Sequence, residues 1–135
     1  WVTATAAPCT SLFKPVRVHE PVELGPDPTN RFDDETVWWR HERLHRLALH
    51  DHAASTARFV AERDRLEATW LDAPPATLEA FAQAEEAEAA WLADLRAARL
   101  PDRRPRWLRT RWDGLDEAAA IAVTETRAPA AAVGA

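Results

Sequence analysis

The hydrophobic and polar positions change their period along the chain, and each change marks an element. From residue 1 to residue 19 the step is two. Val2, Thr3 and Thr5 are branched, Pro8 interrupts, and Leu12-Phe13-Lys14-Pro15-Val16-Arg17-Val18 alternates again, which predicts two short strands. Pro15 has no N–H to give to a ladder, so the second strand is short or sits at a sheet edge. Residues 20–33 hold Pro21, Gly25, Pro26 and Pro28 and predict a loop. Over residues 34–72 the apolar step becomes three and four, through Leu44, Leu47, Ala48, Phe59, Leu66 and Trp70. This spacing predicts one long helix, opened by Asp33, Asp34 and Glu35, whose charges suit a helix amino end, and closed by Pro74 and Pro75.

A second helix is expected over residues 77–100, capped by Thr77, with Leu78, Phe81, Ala84, Glu88, Trp91, Leu92 and Leu95 on its buried stripe and Pro101 after it. The short connection predicts an antiparallel hairpin with Trp70 packed on Phe81 near the turn. Residues 101–112 read as a basic link, 114–124 as a short third helix behind Asp113 and Gly114, and 128–135 as a disordered tail. The fold class is therefore α+β. Two short strands are marginal without neighbours, so residues 1–127 read as a single incomplete domain whose remaining sheet is expected upstream of residue 1.

Composition sharpens this. Of 135 residues 47% are hydrophobic, but 29 of those are Ala, which leaves a thin set of side chains able to bury much surface. There is no Met, and Trp1 opens the sequence with no signal-peptide pattern, so the expectation is a processed product or a piece of a longer chain. The net charge of −5 argues against a protein devoted to nucleic acid. No apolar run approaches the roughly 18 residues of a membrane span. The single cysteine, Cys9, forms no internal disulfide and fits a reducing compartment. The expectation is a cytoplasmic chain with no nucleic-acid or membrane partner.

Three constellations carry candidate chemistry. His41-Glu42-Arg43-Leu44-His45 matches the zinc-peptidase pattern, in which two imidazoles one helical turn apart share a metal and the Glu activates its water. Against it, Arg43 sets a positive charge beside the metal, and His52 is two turns further on, too far to be a third ligand. The competing reading takes Trp38-Trp39-Arg40-His41-Glu42-Arg43-Leu44-His45-Arg46 as a packing and ion-pair surface, with Glu42 paired to Arg46 and Trp39 stacked on Arg43. Cys9 lacks a neighbouring base and reads as a small buried residue rather than a nucleophile. The segment Arg103 to Trp112 combines five Arg with two Trp, suited to phosphate contact and base stacking, or to neutralising the acidic run Glu79, Glu85, Glu86, Glu88 and Asp94.

Two blocks carry a resemblance. Thr5-Ala6-Ala7-Pro8-Cys9-Thr10-Ser11-Leu12-Phe13-Lys14-Pro15, followed after a Pro-rich loop by Trp38-Trp39-Arg40-His41-Glu42-Arg43-Leu44-His45-Arg46, resembles the C-terminal part of the secernin and cysteine dipeptidase family. The run Glu62 to Glu67 and the segment Trp107 to Trp112 also look similar, which extends the resemblance to about residue 120. It implies the C-terminal piece of an α-β-β-α sandwich in a hydrolase whose processed N-terminal Cys attacks a peptide or amide carbonyl. That nucleophile would lie upstream of residue 1. The resemblance implies no catalytic residue here and no cofactor or metal. Phe13, Lys14, Pro15, Trp38, Trp39, Arg40, His41, Glu42, His45 and Arg46 would be structural, with His41 and His45 as ligands only under the zinc alternative. The implied partners are the remainder of the parent chain and, for the parent, a small peptide substrate.

Overall fold

The computed structural model describes residues 6–123. The strand positions Val2, Thr3 and Thr5 and the tail 128–135 lie outside these residues. Helices dominate: α1 (Val37–Ala48), a 3-10 turn (Leu49–Asp51), α2 (His52–Asp72), α3 (Thr77–Ala98) and α4 (Arg106–Ala119). The α+β sandwich piece with two strands is therefore corrected. Among the described residues there is no strand, only a single-residue bridge at Lys14.

The single long helix over 34–72 is also corrected, because the chain breaks at Leu49–Asp51. Asp51 leaves helical geometry and its side chain accepts from the Ala54 amide at 3.2 Å, capping a new helix. Arg103 holds the break from outside, giving its amide to the His50 carbonyl at 2.7 Å and its guanidinium to Asp51 at 2.7 Å. At the other end Thr36, rather than Asp33 or Asp34, caps α1 by accepting from Trp39 N at 3.2 Å. Asp33 instead shapes the preceding turn, its side chain accepting from Glu35 N.

The expected hairpin is present between α2 and α3. Arg58 meets Asp94, Glu62 accepts from the Trp91 indole at 2.7 Å, and Gln83 accepts from the Trp70 indole at 2.8 Å, a register that runs the helices in opposite senses. Trp70 thus meets Gln83, not Phe81. Phe59 stacks on Trp91 with centroids 4.8 Å apart. Helix α1 runs in the same sense as α3, since Arg40 pairs with Glu85 and His41 with Glu88. The first three helices alternate in direction. Ala80, Ala84 and Ala87 are buried on α3, where small side chains let its neighbours approach. Leu78, assigned to the stripe by spacing, is 54% exposed.

Residues 101–112 are not a link throughout. Helix α4 starts at Arg106, runs through Gly114 and ends at Ala119, so the third helix begins earlier and stops sooner than its apolar spacing suggested. It docks through Asp116 on Arg46 and through the Ala119 carbonyl, which accepts from Phe32 N at 2.7 Å. The core joins Leu12, Trp39, Leu44, Phe59, Trp70, Trp91, Leu92, Leu95, Ile121 and Val123.

Candidate functional site

Among the described residues of the period-two stretch, three backbone groups are met by side chains of α2 and α3. Arg63 donates to the Cys9 carbonyl at 3.0 Å, Glu67 accepts from Phe13 N at 3.0 Å, and the Thr77 hydroxyl accepts from Arg17 N at 3.0 Å. The segment is thereby laced along α2 to the first residue of α3. This is why alternation appeared without a sheet: backbone donors and acceptors need partners, and side chains supply them.

Beneath this lacing lies a chain of buried polar groups. The Thr10 hydroxyl is 3.2 Å from His41 Nε2 and 3.4 Å from His45 Nδ1. On the far side of His41, Nδ1 is 3.2 Å from Glu88 Oε1, close enough for electrostatic contact but off the hydrogen-bond axis, so both atoms lack a hydrogen bond. Lys14 Nζ lies 3.8 Å from the same Glu88 oxygen, donates to the Leu12 carbonyl at 3.2 Å and sits over the Phe81 ring. Burial lowers the Lys14 ammonium pKa, while Glu88 and then Glu67 oppose that shift. Burial, reinforced by His41, His52 and Arg46, lowers the His45 pKa to about 4, so its ring is neutral at neutral pH.

A second cluster flanks the first. Glu42 accepts from Arg46 Nε at 2.8 Å, Asp116 accepts from Arg46 Nη1 at 2.6 Å, and the guanidinium sits 5.3 Å from the centroids of both Trp39 and Trp112. The Glu42–Arg46 pair expected from spacing is present, but it is buried rather than on a surface. Arg43 lies over Phe32, not Trp39. Trp38 packs edge-on against Trp39, whose indole donates to the Thr29 carbonyl at 3.1 Å. Arg40 donates to the Asp34 and Glu35 carbonyls. Pro15 is buried, while Phe13 is 40% exposed.

These positions decide what the cluster can do chemically. A hydroxyl, an imidazole and a carboxylate in sequence form the order of an acyl-transfer triad. Thr10 and His41, however, are both 0% exposed, so no substrate carbonyl reaches the hydroxyl. In the zinc pattern Glu42 should face a metal-bound water, and here it faces Arg46. The two imidazoles converge on Thr10, and no group of three or more His, Cys, Asp or Glu able to hold a metal occurs among the described residues. Cys9 is exposed, contrary to the buried residue expected.

The acidic run does not neutralise the Arg-rich segment, the alternative that its charge suggested. Asp94 and Glu85 go to Arg58 and Arg40, and Glu88 goes to Lys14 and His41, while Arg103 and Arg104 pair with Asp51 and Asp102. Sequence reasoning missed Thr10, Glu88 and Asp116 as members of these clusters. One signal was available: Lys14 is the sole lysine and shares the parity of Leu12, while Glu88 sits on the apolar stripe of α3, a buried cation and anion in need of each other.

Comparison with known proteins finds no family model that matches the chain, no matching curated protein and no matching solved structure. No helix among the described residues is long and apolar enough to cross a membrane.

Proposed function

We propose that the chain is the C-terminal segment of a secernin-like cysteine dipeptidase or amidohydrolase, acting on small peptide or amide bonds, and that this segment is structural, with the nucleophile upstream of residue 1. One observation carries the reading. The two blocks that bear the resemblance meet in a single buried contact, Thr10 of the first against His41 and His45 of the second. Residues that recur together because they pack together need no catalytic role, and burial of both the hydroxyl and the His41 ring supports a clamp over a reaction centre. In this reading the clamp fixes the amino-terminal segment on the helices. The partners are that remainder and, for the parent, a small peptide; the compartment is the cytoplasm, on the strength of one unpaired cysteine.

A second reading, a non-catalytic helical interaction module, is favoured by Trp107, 69% exposed on α4 beside Arg106 and Arg111. The reading frame of the encoding DNA separates the two. A frame that continues upstream of the Trp1 codon to a Cys-led module supports the hydrolase segment. An in-frame stop followed by a start just before Trp1 overturns it.

A further inference from the structure

We propose that the cavity between the 3-10 turn and the carboxy end of α3 binds a small monocarboxylate with a short branched apolar tail. The cavity measures about 330 Å³, within the range of small-ligand sites. Leu47, Leu95 and Leu100 form its apolar wall, and its polar lining is His50, Ser55, Arg96 and Arg99, with no carboxylate among the described residues. That is the division of labour of a small-ligand pocket: apolar area for the body of the ligand and a few polar groups for its orientation.

The charge pattern selects an anion. Arg46, Arg58, Arg103 and Arg104 each have a carboxylate partner, but Arg96 and Arg99 have none among the described residues. Arg96 is half-buried, and its only hydrogen bonds among the described residues are long ones, from Nε and Nη2 to the Val123 carbonyl at 3.4 and 3.3 Å. A guanidinium withdrawn from water without a counter-ion is destabilising. Burial, with the nearby Arg43 adding to it, lowers its pKa accordingly. The guanidinium fork matches the two oxygens of a carboxylate. Burial also lowers the His50 pKa, leaving a neutral ring that can donate one N–H, and Ser55, on α2, adds a buried hydroxyl. Three leucines facing two cations suit one carboxylate on an aliphatic tail better than a fully hydrated phosphate.

The test is calorimetric titration of the intact protein, as its gene encodes it, with 4-methylpentanoate, its neutral amide and inorganic phosphate. The expected result is saturable binding of the acid with Kd of about 1 mM, at least tenfold weaker binding of the amide and of phosphate, and a tenfold loss in Arg99→Gln. Arg99 is exposed, so this variant keeps the parent's melting temperature, which is checked alongside. Absence of saturation, equal binding of amide or phosphate, or unchanged binding in a folded Arg99→Gln protein each overturns the proposal.

Discussion

Thr10 and His41 stand 31 positions apart in the chain, and their side chains meet at 3.2 Å in its interior. The Thr10 hydroxyl also donates to the Ala7 carbonyl at 3.3 Å and lies 3.4 Å from His45 Nδ1. One small side chain thus lies within hydrogen-bonding reach of a ring nitrogen of each imidazole. The amino-terminal segment is held by this contact from within and by Arg63, Glu67 and Thr77 from outside.

Thr10→Val keeps the shape and deletes the hydroxyl, leaving two ring nitrogens without that partner. The expected loss is about 1–3 kcal/mol, the desolvation cost of unpaired buried polar groups. Thr10→Ser should lose less, because the hydrogen-bonding group stays. Urea denaturation of the three proteins measures both effects. Equal stability of the Val variant and the parent contradicts the clamp.

Acid should weaken the fold through His45. Its ring titrates near 6.5 when unfolded and at about 4 when folded, so between those values the unfolded chain binds more protons. The contribution is fully present above pH 6.5, falls as pH drops from 6.5 to 4, and levels off below. Urea midpoints across that window should show the decline, and His45→Gln should flatten it. An unchanged slope in the Gln variant contradicts the assignment.

Lys14 and Glu88 should be coupled. Lys14→Met removes the ammonium and leaves Glu88 buried beside His41 alone, with an expected loss of about 3 kcal/mol. Adding Glu88→Gln removes the stranded charge, so the double variant should be more stable than Lys14→Met. A thermodynamic cycle over the four proteins reads this directly. Additive losses contradict a shared network.

Helix α4 offers two stabilising changes of opposite kind. Gly114 lies inside the helix, and a Cβ there meets nothing within 4 Å, so Gly114→Ala should add about 0.5–1 kcal/mol. Ala120 ends the same helix with φ of 56°, where a side chain is strained, so Ala120→Gly should add about 1 kcal/mol. Thermal melts of both variants should move upward.

The α2–α3 hairpin was legible because apolar steps of three and four survive across both helices and two prolines separate them. The break at Asp51 was hidden, since Leu49 keeps near-helical angles (φ −64°, ψ −19°) and the apolar stripe runs on past it. Asp51 itself was the readable signal, a cap residue two positions after a leucine. Helix α4 was hidden by charge: five arginines around Trp107 and Trp112 looked like a link, and Gly114 looked like its end. The alternation of residues 12–18 predicts a strand, and the structure has none there, because alternation does not say what the backbone pairs with. At the site, His41 and His45 were legible as one helical face. Their partners were not, because Thr10 and Glu88 come from other elements and only the tertiary fold brings them together.

The most direct test of a structural role is dipeptide hydrolysis by the intact protein compared with its Cys9→Ala variant, each with and without a zinc chelator. The account predicts hydrolysis that a thiol-alkylating reagent abolishes in both proteins, with kcat/KM unchanged by the substitution and by the chelator. Loss of activity in Cys9→Ala or with chelator, or no hydrolysis of any dipeptide by the intact protein, would contradict it.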